Sequence, residues 1–333
     1  MVKYSQACRF IGNLKGVSRE KVKNVRVITE GALLLAVYTV LFLIYLYIPV
    51  LYIIATMFLV LPFLLYSAKH PLKYSIVFFI ASILISALMG TVLSIPKAII
   101  FGATGIVMGY LVQMNKSKFI IYIASSLTFL LFNILGYIVS VKLFNINYLQ
   151  QISEQLQESF HRSADILKAI GQGQTDQTLE NIQNAISLLT TLFPAMLVII
   201  SFMMVWLFII INFPIAKRFR VNVPKWEPFH KIQLPKSVLW YYLITMLLSL
   251  VIHPKTGSYV ATALMNLAVI FQIFMLIQGF SLVFYFGHLQ KWSKGIYTLI
   301  VIFSFFFPPA MFVILILGII DLGMDIRSKL KGL

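Results

Sequence analysis

Runs of apolar residues recur along this chain at lengths that a soluble fold cannot absorb. Eight of them lie near 29–47, 50–66, 74–93, 97–113, 119–143, 189–213, 238–253 and 259–287. Each is close to the roughly 20 residues, within a range of about 17–25, that a helix needs to cross a bilayer. A ninth, 295–324, has the length of one long tilted helix, but Pro308-Pro309 interrupts its middle. Proline lacks an N–H and clashes with the preceding turn, so a pair there kinks or ends the helix. In hydrocarbon every backbone polar group must be paired within the protein, which makes helix the form these runs take. Composition agrees: 60% of the 333 residues are hydrophobic and 11% charged, against about 45–50% and about 25% in soluble domains. The expected fold class is all-α, a polytopic transmembrane helical bundle.

Charge sets the expected orientation. The formal net charge of +17 fits nucleic acid, anionic lipid, or the Lys/Arg excess of cytoplasmic loops. With the N-terminus inside and 295–324 folded as a hairpin of two short helices, 22 of the 27 Lys/Arg fall on the cytoplasmic side and 5 outside. With 295–324 as one span the split is 19 to 8. The positive-inside rule therefore favours the hairpin, about ten helices, and both termini cytoplasmic in a multi-pass protein of the cell membrane. The basic excess follows the loops, so it reads as topology and contact with anionic lipids. Nucleic acid is not an expected partner, because no soluble domain carries a basic face with interleaved aromatics. The first 26 residues hold seven Lys/Arg but no continuous apolar core, so the first spanning helix is expected to act as its own targeting signal. Cys8 is the one cysteine, which leaves no intramolecular disulfide and no cysteine cluster.

Two segments lie outside the membrane in this reading. Residues 144–188 hold five of the ten acidic residues. Leu149, Ile152, Leu156, Phe160, Leu167 and Ile170 recur at helical steps, which predicts an amphipathic helix. "GQGQTDQ" at 171–177 predicts a turn with Asp176 as a cap, before a second helix from about Thr178. This helical hairpin is expected on the outer face, as a packed cap or as a lid over a cavity. Residues 214–237 carry six Lys/Arg, one Glu and four Pro, the composition of a stiff basic loop along the inner surface. Trp226, Phe229 and the Trp240-Tyr241-Tyr242 run are placed as interfacial anchors, with docking of a cytoplasmic partner as the other reading of this loop.

Catalytic chemistry leaves no mark in the spans. Glu30, Lys97, Lys142, His253 and Asp321 sit near span ends. Ionisable groups at mid-membrane are costly and usually functional, and none is expected at a bilayer centre. No HExxH pair, Cys/His cluster or P-loop is present, so no catalytic residue, metal ligand or cofactor is assigned. "GATGIVMG" at 102–109 lies within an apolar span and predicts close helix packing. The buried polar inventory is Asn133, Asn266, Gln272 and Gln278, read as interhelical hydrogen bonding or as a polar pocket for a small solute.

The first span opens "EGALLLAVYTV". Lipid gives helices little reason to hide apolar surface, so small residues mark faces where backbones approach closely. Ala32 and Ala36 lie one turn apart on one face, for an intramolecular contact or for docking a partner. A basic N-terminus, "ITEGALLLAVYTVLFLI" and short Gly-punctuated spans resemble the substrate-capture components of energy-coupling-factor transporters. The six spans over 29–213 match the six-helix module of that family in number and order. The resemblance implies that Ala32 and Ala36, alanines at the matching spacing on the first helix, contact a coupling membrane protein. Ile48-Pro49 leaves only a tight turn where that family has an extended loop, so any lid would be 144–188. "PFHKIQLPKSVLWYYLI" at 228–244, "IQGFSLVFYF" at 277–286 and "FPPAMFVILILGIIDLGMDIR" at 307–327 resemble the YybS-like family of uncharacterised bacterial membrane proteins, over most of residues 27–327.

The expected organisation is a basic cytoplasmic segment over 1–26, then a six-helix module over 27–213 that includes the outer hairpin. A basic loop over 214–237, a four-helix module over 238–325 and a cytoplasmic tail over 326–333 follow. The expected function is non-catalytic capture or passage of a small solute. The alternative is a membrane scaffold or regulator that binds another membrane or envelope protein and transports nothing.

Overall fold

A computed structural model describes residues 2–169, 176–252, 258–324 and 326–327. The predicted turn residues at 171–175, together with His253, Lys255, Lys329 and Lys331, lie outside them. So does the side chain of Asp176. Thirteen α-helices account for nearly all of the described chain: α1 Val2–Tyr47, α2 Tyr52–Phe58, α3 Leu61–Lys69, α4 Leu72–Met89, α5 Ile95–Gln113, α6 Lys118–Phe144, α7 Tyr148–Ala169, α8 Asp176–Thr191, α9 Phe193–Arg218, α10 Lys236–Ile252, α11 Tyr259–Leu289, α12 Lys294–Phe306 and α13 Pro308–Met324. No strand occurs among the described residues.

Seven spans among these are long and apolar enough to cross a membrane: the part of α1 from Val25, α2 with α3, α4, α5, α6, α9 and α11. The expected ten exceed this by three shorter helices. α10 has 17 residues, and α12 and α13 have 13 and 17. The last two qualify only as a pair, bent by 113°. That bend excludes one straight span and follows from Pro308-Pro309 at the start of α13. Two further differences are local. The basic N-terminal segment is helical and continuous with the first span. The second span is divided at Leu59-Val60, where Pro62 removes a donor from the first turn of α3. Asn212 Nδ2 donates to the Met57 carbonyl at 2.9 Å, satisfying a backbone group at that break.

The chain forms two compact units. The first comprises residues 1–146 and 201–225. Its interior is filled by rings: Tyr38, Phe42, Phe63 and Phe208 are at most 1% exposed. Tyr38 meets Phe63 edge-on at 5.0 Å, and Phe129 meets Phe208 in the same way at 5.6 Å. The predicted close packing at 102–109 is present. A Cβ on Gly105 would stand 2.8 Å from the Val60 carbonyl, and one on Gly109 would stand 2.5 Å from that of Leu64. The glycines of α5 thus lie directly on the backbone of the divided second span.

The second unit comprises residues 147–200 and 226–333. The α7–α8 hairpin therefore falls in one unit with the C-terminal helices, whereas the sequence boundary at 213 groups it with the first six. One physical reason is Asn266 of α11. Its Oδ1 accepts from Ala195 N at 2.7 Å and its Nδ2 donates to Thr191 O at 2.7 Å, closing the break between α8 and α9. α7 is amphipathic as expected, and Leu149, Ile152 and Leu156 line an apolar cleft of about 220 Å³ against α8 and the start of α9. The core of this unit is Leu239, Tyr242, Met275, Leu276, Ile314, Leu315 and Leu322. Trp240 and Tyr241 are exposed, as interfacial anchors would be, but Tyr242 turns inward into that core.

Candidate functional site

The first span presents two unlike faces. Val27, Gly31, Tyr38, Phe42 and Tyr45 are buried, at helical steps along one side. Gly31 is the small residue of the internal contact: a Cβ there would meet the Tyr66 hydroxyl at 3.1 Å. Ala32 and Ala36 face away and are exposed, together with Thr29, Leu33, Val37 and Val40. Among the described residues the alanine pair is thus left uncovered. At one end of this span Glu30 accepts from Arg26 Nε at 2.9 Å and lies 3.0 Å from His70 Nε2. That triad fixes the rotation of α1 against α3.

Three of the four polar residues of the predicted pocket have partners of their own. Asn133, in the first unit, donates to its own helix, at Phe129 O. Asn266 closes the α8–α9 break described above. Gln272 is exposed. Gln278 is fully buried, and it leads to a cluster that sequence reading missed. Its Nε2 donates to Asp321 Oδ2 at 2.5 Å, and its Oε1 accepts from Leu234 N at 2.9 Å.

That cluster is a buried polar assembly inside the second unit. Asp321 is 0% exposed and Arg327 is 6% exposed. Arg327 uses all three faces of its guanidinium. Nε donates to Asp321 Oδ2 at 3.0 Å, Nη1 to His230 O at 2.9 Å and Nη2 to Ser281 Oγ at 3.0 Å. Tyr285 lies under the guanidinium at 5.5 Å. Ser281 Oγ in turn reaches the carbonyls of Phe229 and Ile232, at 2.9 and 2.6 Å. Buried charges persist only when paired and hydrogen-bonded. Asp321 Oδ1 remains without a partner among the described residues. The cluster binds the basic loop to α11, α13 and the chain beyond α13. Beside it His230 stacks on His288 at 4.1 Å between ring centres. Burial, and then the positive neighbours His288, Lys231 and Arg327, hold the His230 imidazole below its usual range. The signal available in the sequence was an acid inside the apolar run "LILGIIDLG" with an arginine six residues later.

The model of the family described as "Predicted membrane protein (DUF2232)" matches residues 36–322. The chain is also 28% identical over 311 residues to "Uncharacterized protein YybS" of Bacillus subtilis (strain 168), covering 93% of this chain and 100% of that protein. No solved structure matches.

Proposed function

The chain belongs to the DUF2232 family of predicted membrane proteins, and on that premise we propose that it is a non-catalytic scaffold or regulator that docks another membrane protein on α1. One observation carries this reading: Ala32 and Ala36 are exposed while the opposite face of the same helix is closed by rings. Small residues on a lipid-facing surface permit the close backbone approach that drives helix association in membranes. Glu30, held by Arg26 and His70, keeps that face turned outward.

The test is gentle affinity purification from native membranes with mass spectrometry of the co-eluting proteins, for the natural chain and for Ala36→Leu. The expected result is normal membrane insertion with recovery of the partner falling by about tenfold or more, equivalent to about 1.4 kcal/mol. Undiminished recovery would remove α1 from the interface.

A second reading is capture of a small solute in the manner of an energy-coupling-factor substrate component. It is favoured by unpartnered buried polar atoms in the first unit, Ser125 Oγ, Ser126 Oγ and Asn212 Oδ1. A thermal-shift screen of soluble metabolites tests it. The reading requires a ligand that stabilises the natural chain and fails to stabilise Asn212→Leu. It falls if no compound raises the melting temperature.

A further inference from the structure

We propose that the groove inside the α12–α13 bend is a lipid site, seating one acyl chain of an anionic phospholipid. The groove has a volume of about 670 Å³ and is lined by Leu299, Phe303, Phe307, Pro309, Val313 and Ile314 among others. It is open along one side: Leu299, Phe303 and Val313 are 67%, 59% and 55% exposed. The one polar side chain in the lining, Ser304, is 2% exposed and already donates to Ile300 O at 2.6 Å. The groove therefore offers nothing to a polar solute, and only an apolar occupant gains by entering it.

Geometry selects among apolar occupants. Trp292 precedes α12 and packs edge-on against Phe286 at 5.7 Å and near Tyr297 at 6.3 Å. Such aromatic groups settle at the headgroup level. From Lys294 to Phe303 the helix rises about 14 Å, roughly half of a hydrocarbon core about 30 Å thick. Phe307 and Pro309, at the 113° bend, form the inner end of the groove. An occupant thus enters from the headgroup side and ends near mid-membrane. A flexible chain of one leaflet does this. A spanning helix, straight over the whole core and about 10 Å wide, does not.

Charge selects the headgroup. Between His288 and Ile320 the charged residues of the sequence are Lys291 and Lys294, and both precede the groove-lining part of α12. Asp321 is buried and paired with Arg327, so no acid in that stretch opposes a phosphate. Basic residues near a membrane surface attract anionic headgroups.

The experiment reconstitutes the full chain in phosphatidylcholine vesicles. They contain a trace of either phosphatidylglycerol or phosphatidylcholine bearing a photoreactive acyl chain, and labelled residues are mapped by mass spectrometry. The expected result is labelling concentrated on residues 299–314, several-fold stronger with the phosphatidylglycerol probe. Lys291→Gln with Lys294→Gln should abolish the headgroup preference while leaving the labelled positions unchanged. Ala310→Trp, which fills the groove, should remove the labelling. Val313→Phe provides a milder version where the tryptophan variant fails to insert. Labelling spread evenly over all lipid-facing helices overturns the site. Equal labelling by the two probes overturns the anionic headgroup.

Discussion

Arg327 is bound to Asp321, Ser281 and the His230 carbonyl at once, so its removal strands a buried carboxylate. Breaking one side of a buried ion pair costs about 3–5 kcal/mol. Arg327→Met should therefore lower the unfolding midpoint in mild detergent strongly, and Asp321→Asn combined with Arg327→Gln should lower it less. A double-mutant cycle on these two positions measures their coupling. An additive cycle would show that the two side chains stabilise the fold independently. His230 gives the same cluster a pH dependence. Its imidazole is held below the ordinary value of 6.5 by burial, His288, Lys231 and Arg327. Near that pH the unfolded chain binds more protons than the folded one, so stability rises with pH through this window and falls as pH drops below it. Melting temperatures measured from about pH 8 to about pH 5.5 should decline toward acid, and His230→Phe should flatten the decline. An unchanged slope would remove His230 as its source.

α11 and α13 cross where neither can carry a side chain. A Cβ on Gly279 would lie 1.9 Å from Ile314 O, and one on Gly318 would lie 2.0 Å from Met275 O. The obstructing atoms are backbone, so the helices themselves must separate. Overpacking usually costs about 1–3 kcal/mol, occasionally more, and Gly318→Ala belongs at or above the top of that range. Gly323→Ala on the same helix is the control, because its Cβ would meet only Leu239 at an ordinary 3.6 Å. Equal thermal stability of the two variants would refute the crossing. Elements of this kind were partly legible in the sequence. Apolar run length found the helices, and the glycines of 102–109 announced a close approach that α5 and α3 do make. Asp321 and Arg327 stand six residues apart and left a signal, but the rest of their cluster was not legible, because its other members are remote. Gln278 lies 43 residues from Asp321, and the Ser281–Ile232 contact spans 49. Local periodicity carries no record of such pairings. The alanine pair shows the same limit: spacing identified a small-residue face on α1, but only packing shows that Gly31 serves the internal contact while Ala32 and Ala36 point away.

For the whole molecule, the bent α12–α13 pair decides which side of the membrane the chain ends on. α12, with 13 residues, is about 20 Å long, too short for a core of about 30 Å. The 113° bend turns α13 away from any continuation of α12. The pair is therefore expected to enter and leave by one side. Eight apolar segments precede it, counting α10 with the seven longer spans, and eight crossings return the chain to the side where it began. The N-terminal segment and Arg327 are then expected on the same, positively charged side. The natural chain supplies a probe, since Cys8 is its one cysteine. In intact cells a membrane-impermeant maleimide should leave Cys8 unlabelled, and in inverted vesicles it should label it. A cysteine placed at Ser328 in a Cys8→Ser background should behave identically. Opposite labelling of the two positions would mean that α10 does not cross or that 295–324 does. A further cysteine at Thr256, between α10 and α11, separates these cases: accessibility on the side opposite Cys8 confirms that α10 crosses and assigns the odd crossing to the bent pair.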